Sequence, residues 1–248
     1  MVTFPPGLHA DTAWDSHLDR CRELIEQAGH RTVCEIGGGR HPLLSPEQVE
    51  QLGIEYTVMD VSPDELALAP DGYRTLCFDV CDPEVAGLGE RFDLVLSRMV
   101  AEHVTDGETM HRNVFRLLRP GGVAFHFFPT LYTPVFLANR LLPERVARVV
   151  QRRVADRDQP KFPAYYSMCR GPTPRTVAAL EAIGYEVQEY RPFYGTDYLK
   201  YIPVLGTIDG AIAAWAARRR NPYMTSYAFL LLQKPRDPRN GSAGPATF

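Results

Sequence analysis

The stretch that most constrains this chain is Thr32-Val33-Cys34-Glu35-Ile36-Gly37-Gly38-Gly39-Arg40-His41-Pro42, a short apolar strand that runs into a glycine turn and carries an acid near its end. A strand entering such a turn opens an α/β fold, and a nucleotide-like ligand is expected beside it. The residues themselves argue against two common ligands. A dinucleotide turn repeats glycine as G-x-G-x-x-G so that a pyrophosphate rests on amides of the next helix, and here Pro42 stands at the third glycine position. A phosphate-gripping P-loop needs Gly-Lys-Ser/Thr after its glycines, and Arg40-His41-Pro42 follows instead. The ligand therefore need not be a polyphosphate.

Two later acids narrow it further. Asp60 closes the run Tyr56-Thr57-Val58-Met59-Asp60 at about the spacing of a ribose-binding carboxylate, and can accept from both ribose hydroxyls. Asp79 closes Thr75-Leu76-Cys77-Phe78-Asp79, where a carboxylate can accept from an adenine amino group while neighbouring backbone covers the ring edge. A ligand with adenosine at one end and an amino acid at the other fits three acids at three successive strand ends.

In chain order, Glu35-x-Gly37-x-Gly39, Asp60, Asp79, Phe92-Asp93-Leu94-Val95-Leu96-Ser97 and Leu118-Arg119-Pro120-Gly121-Gly122 resemble the motifs of class I S-adenosylmethionine-dependent methyltransferases. The resemblance implies that S-adenosylmethionine is the cofactor and S-adenosylhomocysteine the product. It implies that the turn of Glu35, Gly37, Gly38 and Gly39 passes under the methionine part, that Asp60 with Val61 binds ribose, and that Asp79 with Val80 binds adenine. It also implies that the fourth strand, ending at Ser97, lies near the transferable methyl. His41 stands where many members have a third glycine and is counted with the cofactor site; this departure leaves the path of the turn open. The implied fold is a Rossmann-like, seven-stranded, mostly parallel sheet with helices on both faces.

A chain of 248 residues, 45% of them hydrophobic, suffices for one large α/β domain with a sizeable core. A net charge of -3 gives no electrostatic reason to expect nucleic acid, whose binders carry a concentrated basic face. No C-x-x-C pair occurs among Cys21, Cys34, Cys77, Cys81 and Cys169, so reduced thiols and no metal site are expected. The start, Met1-Val2-Thr3-Phe4-Pro5-Pro6, lacks a charged residue followed by an apolar run, and the chain has no continuous apolar stretch of about 20 residues. A cytoplasmic protein is expected, and a homodimer is left open.

Apolar spacing predicts a leading helix over 12–29, with Leu18, Cys21, Leu24, Ile25 and Ala28 on one face and Gly29 as its stop. Short, nearly continuous apolar runs predict parallel strands near 32–36, 54–59, 73–78, 93–97 and 122–128, with further strands at 185–190 and 224–233. Helices are expected over 106–118 and from Thr173-Pro174 to Gly184. This divides the chain into a helical cover (1–31), a methyltransferase domain (32–234) and a disordered tail (235–248). Segments 131–170 and 195–222 follow strands and are read as insertions that build a helical lid and acceptor pocket. The second is expected to hold a helix that presents Ile208, Ala211, Ile212 and Trp215 on one face.

More than half of the aromatic residues fall between Phe125 and Tyr201, which favours an enclosed pocket for an aromatic or lipophilic small-molecule acceptor. Phe128, Tyr132, Tyr165, Tyr166, Tyr194 and Tyr198 are its candidate lining, with Asp197 a weaker member. Methyl transfer needs the acceptor atom in line with the departing sulfur. A hydroxyl or protonated amine also needs a base near neutrality, most simply histidine. His126 in the fifth strand and His103 in Ala101-Glu102-His103-Val104 are the candidates, with His41 a third histidine in reach. His126 also fits the place of a core histidine, and the resemblance favours a structural or cofactor-side contact for His103.

Arg140, Arg145, Arg148, Arg152, Arg153 and Arg157, interleaved with Leu142, Val146, Val149, Val150 and Val154, read as a basic amphipathic helix. It suits a solvated lid, or contact with an anionic membrane that admits a quinone or lipid acceptor. The leading expectation is O-methylation of a small molecule in specialised metabolism. The alternatives are a membrane-surface methyltransferase of a quinone or lipid intermediate, and a non-catalytic S-adenosylmethionine-binding regulator.

Overall fold

The computed structural model describes residues 6–131, 163–196 and 203–236. Expectations that fall on Tyr132, on the basic stretch 140–158, on Asp197 and Tyr198 and on the tail from 237 lie outside the described residues.

Strands β1 (Thr32–Ile36), β2 (Glu55–Asp60), β3 (Arg74–Cys77), β4 (Phe92–Arg98), β5 (Leu118–Pro129), β6 (Glu186–Phe193) and β7 (Tyr227–Gln233) form one sheet in the order β3-β2-β1-β4-β5-β7-β6. β7 runs antiparallel to β5 and β6, and the pairs among β1 to β5 are parallel. The central strands are buried on both faces, which is why their sequences read as continuous apolar runs rather than alternating ones. β3 and β6 lie at the two edges and are correspondingly more exposed.

Six helices flank the sheet among the described residues: α1 (Ala10–Ala28), α2 (Pro46–Leu52), α3 (Pro63–Ala67), α4 (Gly107–Leu117), α5 (Pro174–Ile183) and α6 (Pro203–Arg219). On one face Ala13, Cys21 and Ile25 of α1 pack with Val33, Tyr56, Val58, Leu94, Leu96 and Phe125. On the other, Met110, Val114 and Leu117 of α4 and Leu180 of α5 pack with Cys34, Ile36, Met59 and Val95. α1 ends at Gly29, whose φ of 67° is the left-handed stop that the sequence predicts.

α4 begins where Asp106 accepts from the amides of Glu108 and Thr109 at 3.0 and 3.1 Å. It stops one residue before the expected 118, because Leu118 turns extended and pairs with Phe92 to start β5. Lys234 Nζ donates to the Phe115 and Leu118 carbonyls at 3.0 and 2.9 Å and so satisfies groups that the helix end leaves open.

α6 carries its apolar stripe on the solvent side. Ile208, Ala211, Ile212 and Trp215 face outward, and Trp215 is half exposed (50%). The buried side is made of Ala213, Ala214, Ala216 and Ala217, the last two clustered with Tyr194. Alanines let the helix backbone approach closely and lose no side-chain entropy on burial, and packing follows that face rather than the larger apolar stripe.

Candidate functional site

The site is built from one rung of the sheet. Ile36 pairs with Met59 on one side and Ser97 on the other. The next rung therefore carries Asp60, Gly37 and Arg98 at the carboxyl ends of β2, β1 and β4. Because side chains alternate along a strand, Asp60 and Arg98 share the α1 face with Glu35, while Ser97 points to the α4 face.

Gly37 has φ 76°, and a Cβ built on it would overlap the Val100 Cγ2 methyl in the turn that leaves β4. Gly39 has φ 42°, and its Cβ would lie 3.1 Å from Asp60 Oδ2. Only glycine accommodates both the left-handed backbone and these close approaches. Gly37 is exposed whereas Gly38 and Gly39 are buried, so the turn offers bare backbone to the opening above the sheet.

The remainder of the turn is fixed by side chains. Arg40 grips Glu65 through two hydrogen bonds of 2.6 Å each. The His41 amide donates to the Gly38 carbonyl at 2.9 Å and leaves the residue exposed. Glu35 is buried, and its Oε2 accepts from the Leu43 amide at 2.8 Å and from the Tyr56 hydroxyl at 2.7 Å. Burial raises its pKa, against the pull of those two donors. Glu35 thus braces the glycine turn from beneath.

Asp60 accepts from the Ser62 amide through Oδ1 at 2.9 Å, and its Oδ2 lies over Gly39. Val61 beside it is exposed. Asp79 is exposed and accepts from the Cys81 amide through Oδ1 at 2.8 Å. Val80, by contrast, turns into the α4-side core. Two of the three acids therefore stand at the opening and the third supports it from below. Backbone without side chains, with carboxylates two residues beyond β3 and at the end of β2, suits a ligand that carries ribose hydroxyls, an adenine amino group and a positive charge.

The two candidate bases lie in different surroundings. His126 is fully buried (0% exposed), with Nδ1 2.7 Å from Ser97 Oγ and its ring 5.3 Å from that of His111. Burial, and then His111, push its pKa well below the usual histidine value. It occupies the core place that its strand position also allowed, and Ser97 is turned to it. His103 is partly exposed just beyond β4. Its Nδ1 is 2.9 Å from the Pro163 carbonyl. A carbonyl only accepts, so the neutral ring carries its proton on Nδ1 and its lone pair on Nε2. Nε2 lies 3.5 Å from Oε1 of the buried Glu102, a carboxyl that burial pushes up to about 8.

Of the expected lining, Phe128 is packed in the α4-side core and Tyr194 is buried against α6. Tyr165 is exposed, and Tyr166 takes a φ of 55°. The amides of both donate to the Glu102 carbonyl, at 2.7 and 3.2 Å, so they lie beside His103 rather than beside Tyr194. Sequence reasoning passed over Arg98 and Glu102. The period-2 alternation through Leu94 and Leu96 places Arg98 with Asp60, whereas the depth of Glu102 has no signal in its neighbours. Among the described residues no cluster of His, Cys, Asp and Glu is grouped to hold a metal ion, and no helix is long and apolar enough to cross a membrane.

Comparison with known proteins agrees with this geometry. A ubiquinone biosynthesis O-methyltransferase of Methylobacterium sp. (strain 4-46) is 33% identical over 103 residues, which are 38% of this chain and 39% of that protein. The alignment thus spans about two fifths of that relative's length. An S-adenosylmethionine-dependent methyltransferase of Mesorhizobium loti shares the fold, with a TM-score of 0.54 at 17% identity over 90% of this chain and 97% of the other. Phosphoethanolamine N-methyltransferase 2 of Haemonchus contortus, in complex with S-adenosyl-L-methionine, superposes with a TM-score of 0.51 at 15% identity, covering 88% of this chain and 53% of the other. The family described as Methyltransferase domain matches residues 8–160. With that match over most of the chain, and with the glycine turn and strand-end acids in their places, the chain belongs to the class I S-adenosylmethionine-dependent methyltransferases.

Proposed function

We propose that this methyltransferase methylates a hydroxyl oxygen of a small aromatic or lipophilic acceptor, with His103 as the proton acceptor. The observation that supports the reading is the contact of His103 Nδ1 with the Pro163 carbonyl at 2.9 Å, which makes Nε2, 3.5 Å from Glu102 Oε1 just beyond β4, the accepting nitrogen of the neutral ring. The backbone of Gly37 to Gly39, with Asp60 and Asp79, would hold S-adenosylmethionine, which supplies an electrophilic methyl group when bound. Val61 and His41 flank this binding site, while Val80 packs in the core beneath it. Nε2 then takes the acceptor's proton as the oxygen–methyl bond forms and the carbon–sulfur bond breaks with its electron pair left on sulfur. Tyr165 and Tyr166, beside His103, are the described aromatic residues best placed to meet the acceptor. A role in specialised metabolism rests on that acceptor class alone.

Phenolic acceptors, S-adenosylmethionine and mass detection of the methylated product test the proposal. His103→Ala is expected to lower kcat by about 10²–10⁴, with cofactor affinity retained. Equal rates for both proteins would remove His103 from the mechanism.

A second reading, methylation of a quinone or lipid intermediate at a membrane surface, is favoured by one feature. Val204, Leu205, Ile208, Ile212 and Trp215 of α6 form an exposed apolar stripe, a shape that suits the headgroup boundary. On this reading the protein sediments with anionic vesicles at physiological salt, and Trp215→Ser with Ile208→Ser releases it. Wild-type protein that stays in the supernatant excludes the reading.

A further inference from the structure

S-adenosylmethionine ends in a free amino acid whose carboxylate is a full negative charge, and the carboxylates Asp60, Asp79 and Glu35 would repel it. A cation beside it offsets that repulsion, and the residues around the opening offer few. Arg40 is held by Glu65 through two bonds of 2.6 Å. His17 of α1 is pushed down to about 4, by burial first and then by the charge of Arg98, and is neutral near pH 7. Arg98 remains.

Its position is set by register. Arg98 stands on the last rung of β4, with Gly37 between it and Asp60, on the same sheet face as Asp60. With adjacent strands about 4.8 Å apart, the Arg98 and Asp60 Cα atoms are separated by about 10 Å. Gly37 places no side chain between them, so the interval is spanned by bare backbone.

Among the described residues the guanidinium has no ion-pair partner, and Oε2 of the nearby Glu35 is engaged by Leu43 and Tyr56. The Arg98 charge nevertheless reaches this region, where it opposes the rise that burial causes at Glu35 and Cys21 and adds to the fall that burial causes at His17. A partly buried, unpaired guanidinium is electrostatically unfavourable, and a carboxylate that receives its two-pronged fork relieves that.

We propose that Arg98 is the counter-ion for the carboxylate of the cofactor's amino-acid end, so that the ligand crosses Gly37 with its ribose at Asp60 and its carboxylate at Arg98. The proposal rests on the cofactor reading of the glycine turn and adds a residue that the family's motifs do not supply.

The test is calorimetric titration with two ligands, S-adenosylhomocysteine and S-adenosyl-3-thiopropylamine, which is the same molecule without the carboxylate. Wild-type protein is expected to bind the first about ten- to a hundredfold more tightly. Arg98→Met should weaken S-adenosylhomocysteine by a similar factor while changing the affinity of the other ligand less than about twofold, and Arg98→Lys should recover part of the loss. Equal weakening of both ligands, or unchanged S-adenosylhomocysteine affinity, overturns the proposal. If Arg98→Met does not fold, Arg98→Lys decides in its place: it should narrow the preference for S-adenosylhomocysteine over S-adenosyl-3-thiopropylamine, and an unchanged preference, or equal wild-type affinities, overturns the proposal. Wild-type protein that binds neither ligand rejects the cofactor reading, and this proposal with it.

Discussion

Gly37→Ala is expected to weaken S-adenosylhomocysteine binding thirtyfold or more while leaving the protein folded. Two penalties combine. A left-handed φ of 76° costs alanine about 1 kcal/mol or more, and the overlap of its methyl with Val100 Cγ2 adds an overpacking cost of roughly 1–3 kcal/mol. With no ligand bound, the exposed turn can relax away from Val100, so the cost falls on binding, when the turn must return. Adding Val100→Ala removes the overlap and leaves the backbone term, so the double variant should recover most of the affinity. Calorimetric titration with circular dichroism as a fold control measures this. Wild-type affinity in Gly37→Ala would show that the turn does not touch the ligand.

Glu102→Gln is expected to stabilise the protein increasingly as pH rises. The Glu102 carboxyl is buried, its Oε2 has no hydrogen-bond partner, and burial lifts its pKa from 4.5 to about 8. A raised acid pKa means that the folded state holds its proton between these values while the unfolded chain releases it. Stability therefore falls as pH rises through that window and is fullest below the unfolded value. Glutamine has no proton to lose. Relative to the wild type, the variant should gain on the order of 3 kcal/mol between pH 5 and pH 8. Urea denaturation of both proteins across that range checks it. Parallel curves would mean that Glu102 titrates normally and is better hydrated than its packing suggests.

Much of the site was legible because strands written as unbroken apolar runs announce a parallel sheet, and residues at their ends announce its ligand edge. Glycines, Asp60 and Asp79 could be placed on that edge from spacing alone. Spacing does not give the direction of a side chain, and there the reading lost resolution. Glu35 was grouped with the other acids, yet it lies two residues below the rung of Asp60 and is covered by the turn it supports. Val80 and Ser97 sit beside the opening in sequence but face the α4-side core. His126 alternates with Phe125 and Phe127, which reveals its face but not that Ser97 and His111 enclose it. In α6 the period that groups Ile208, Ala211, Ile212 and Trp215 does not say which side is buried, and the alanines take that side because closeness of backbone matters more than side-chain area.

The described residues that flank 132–162 are tied to the scaffold on both sides. On one side, Thr130 donates through its amide to the Ser226 carbonyl at 2.8 Å, and its hydroxyl bonds the Thr225 carbonyl. On the other, Pro163 meets His103, the Tyr165 and Tyr166 amides meet the Glu102 carbonyl, and Ser167 Oγ accepts from the Gly107 amide at 2.8 Å. Both anchors belong to the scaffold and neither involves the glycine turn. Whatever sequence joins Leu131 to Pro163 therefore starts and ends on hydrogen bonds that the scaffold makes by itself, and these two end points are set independently of the glycine turn.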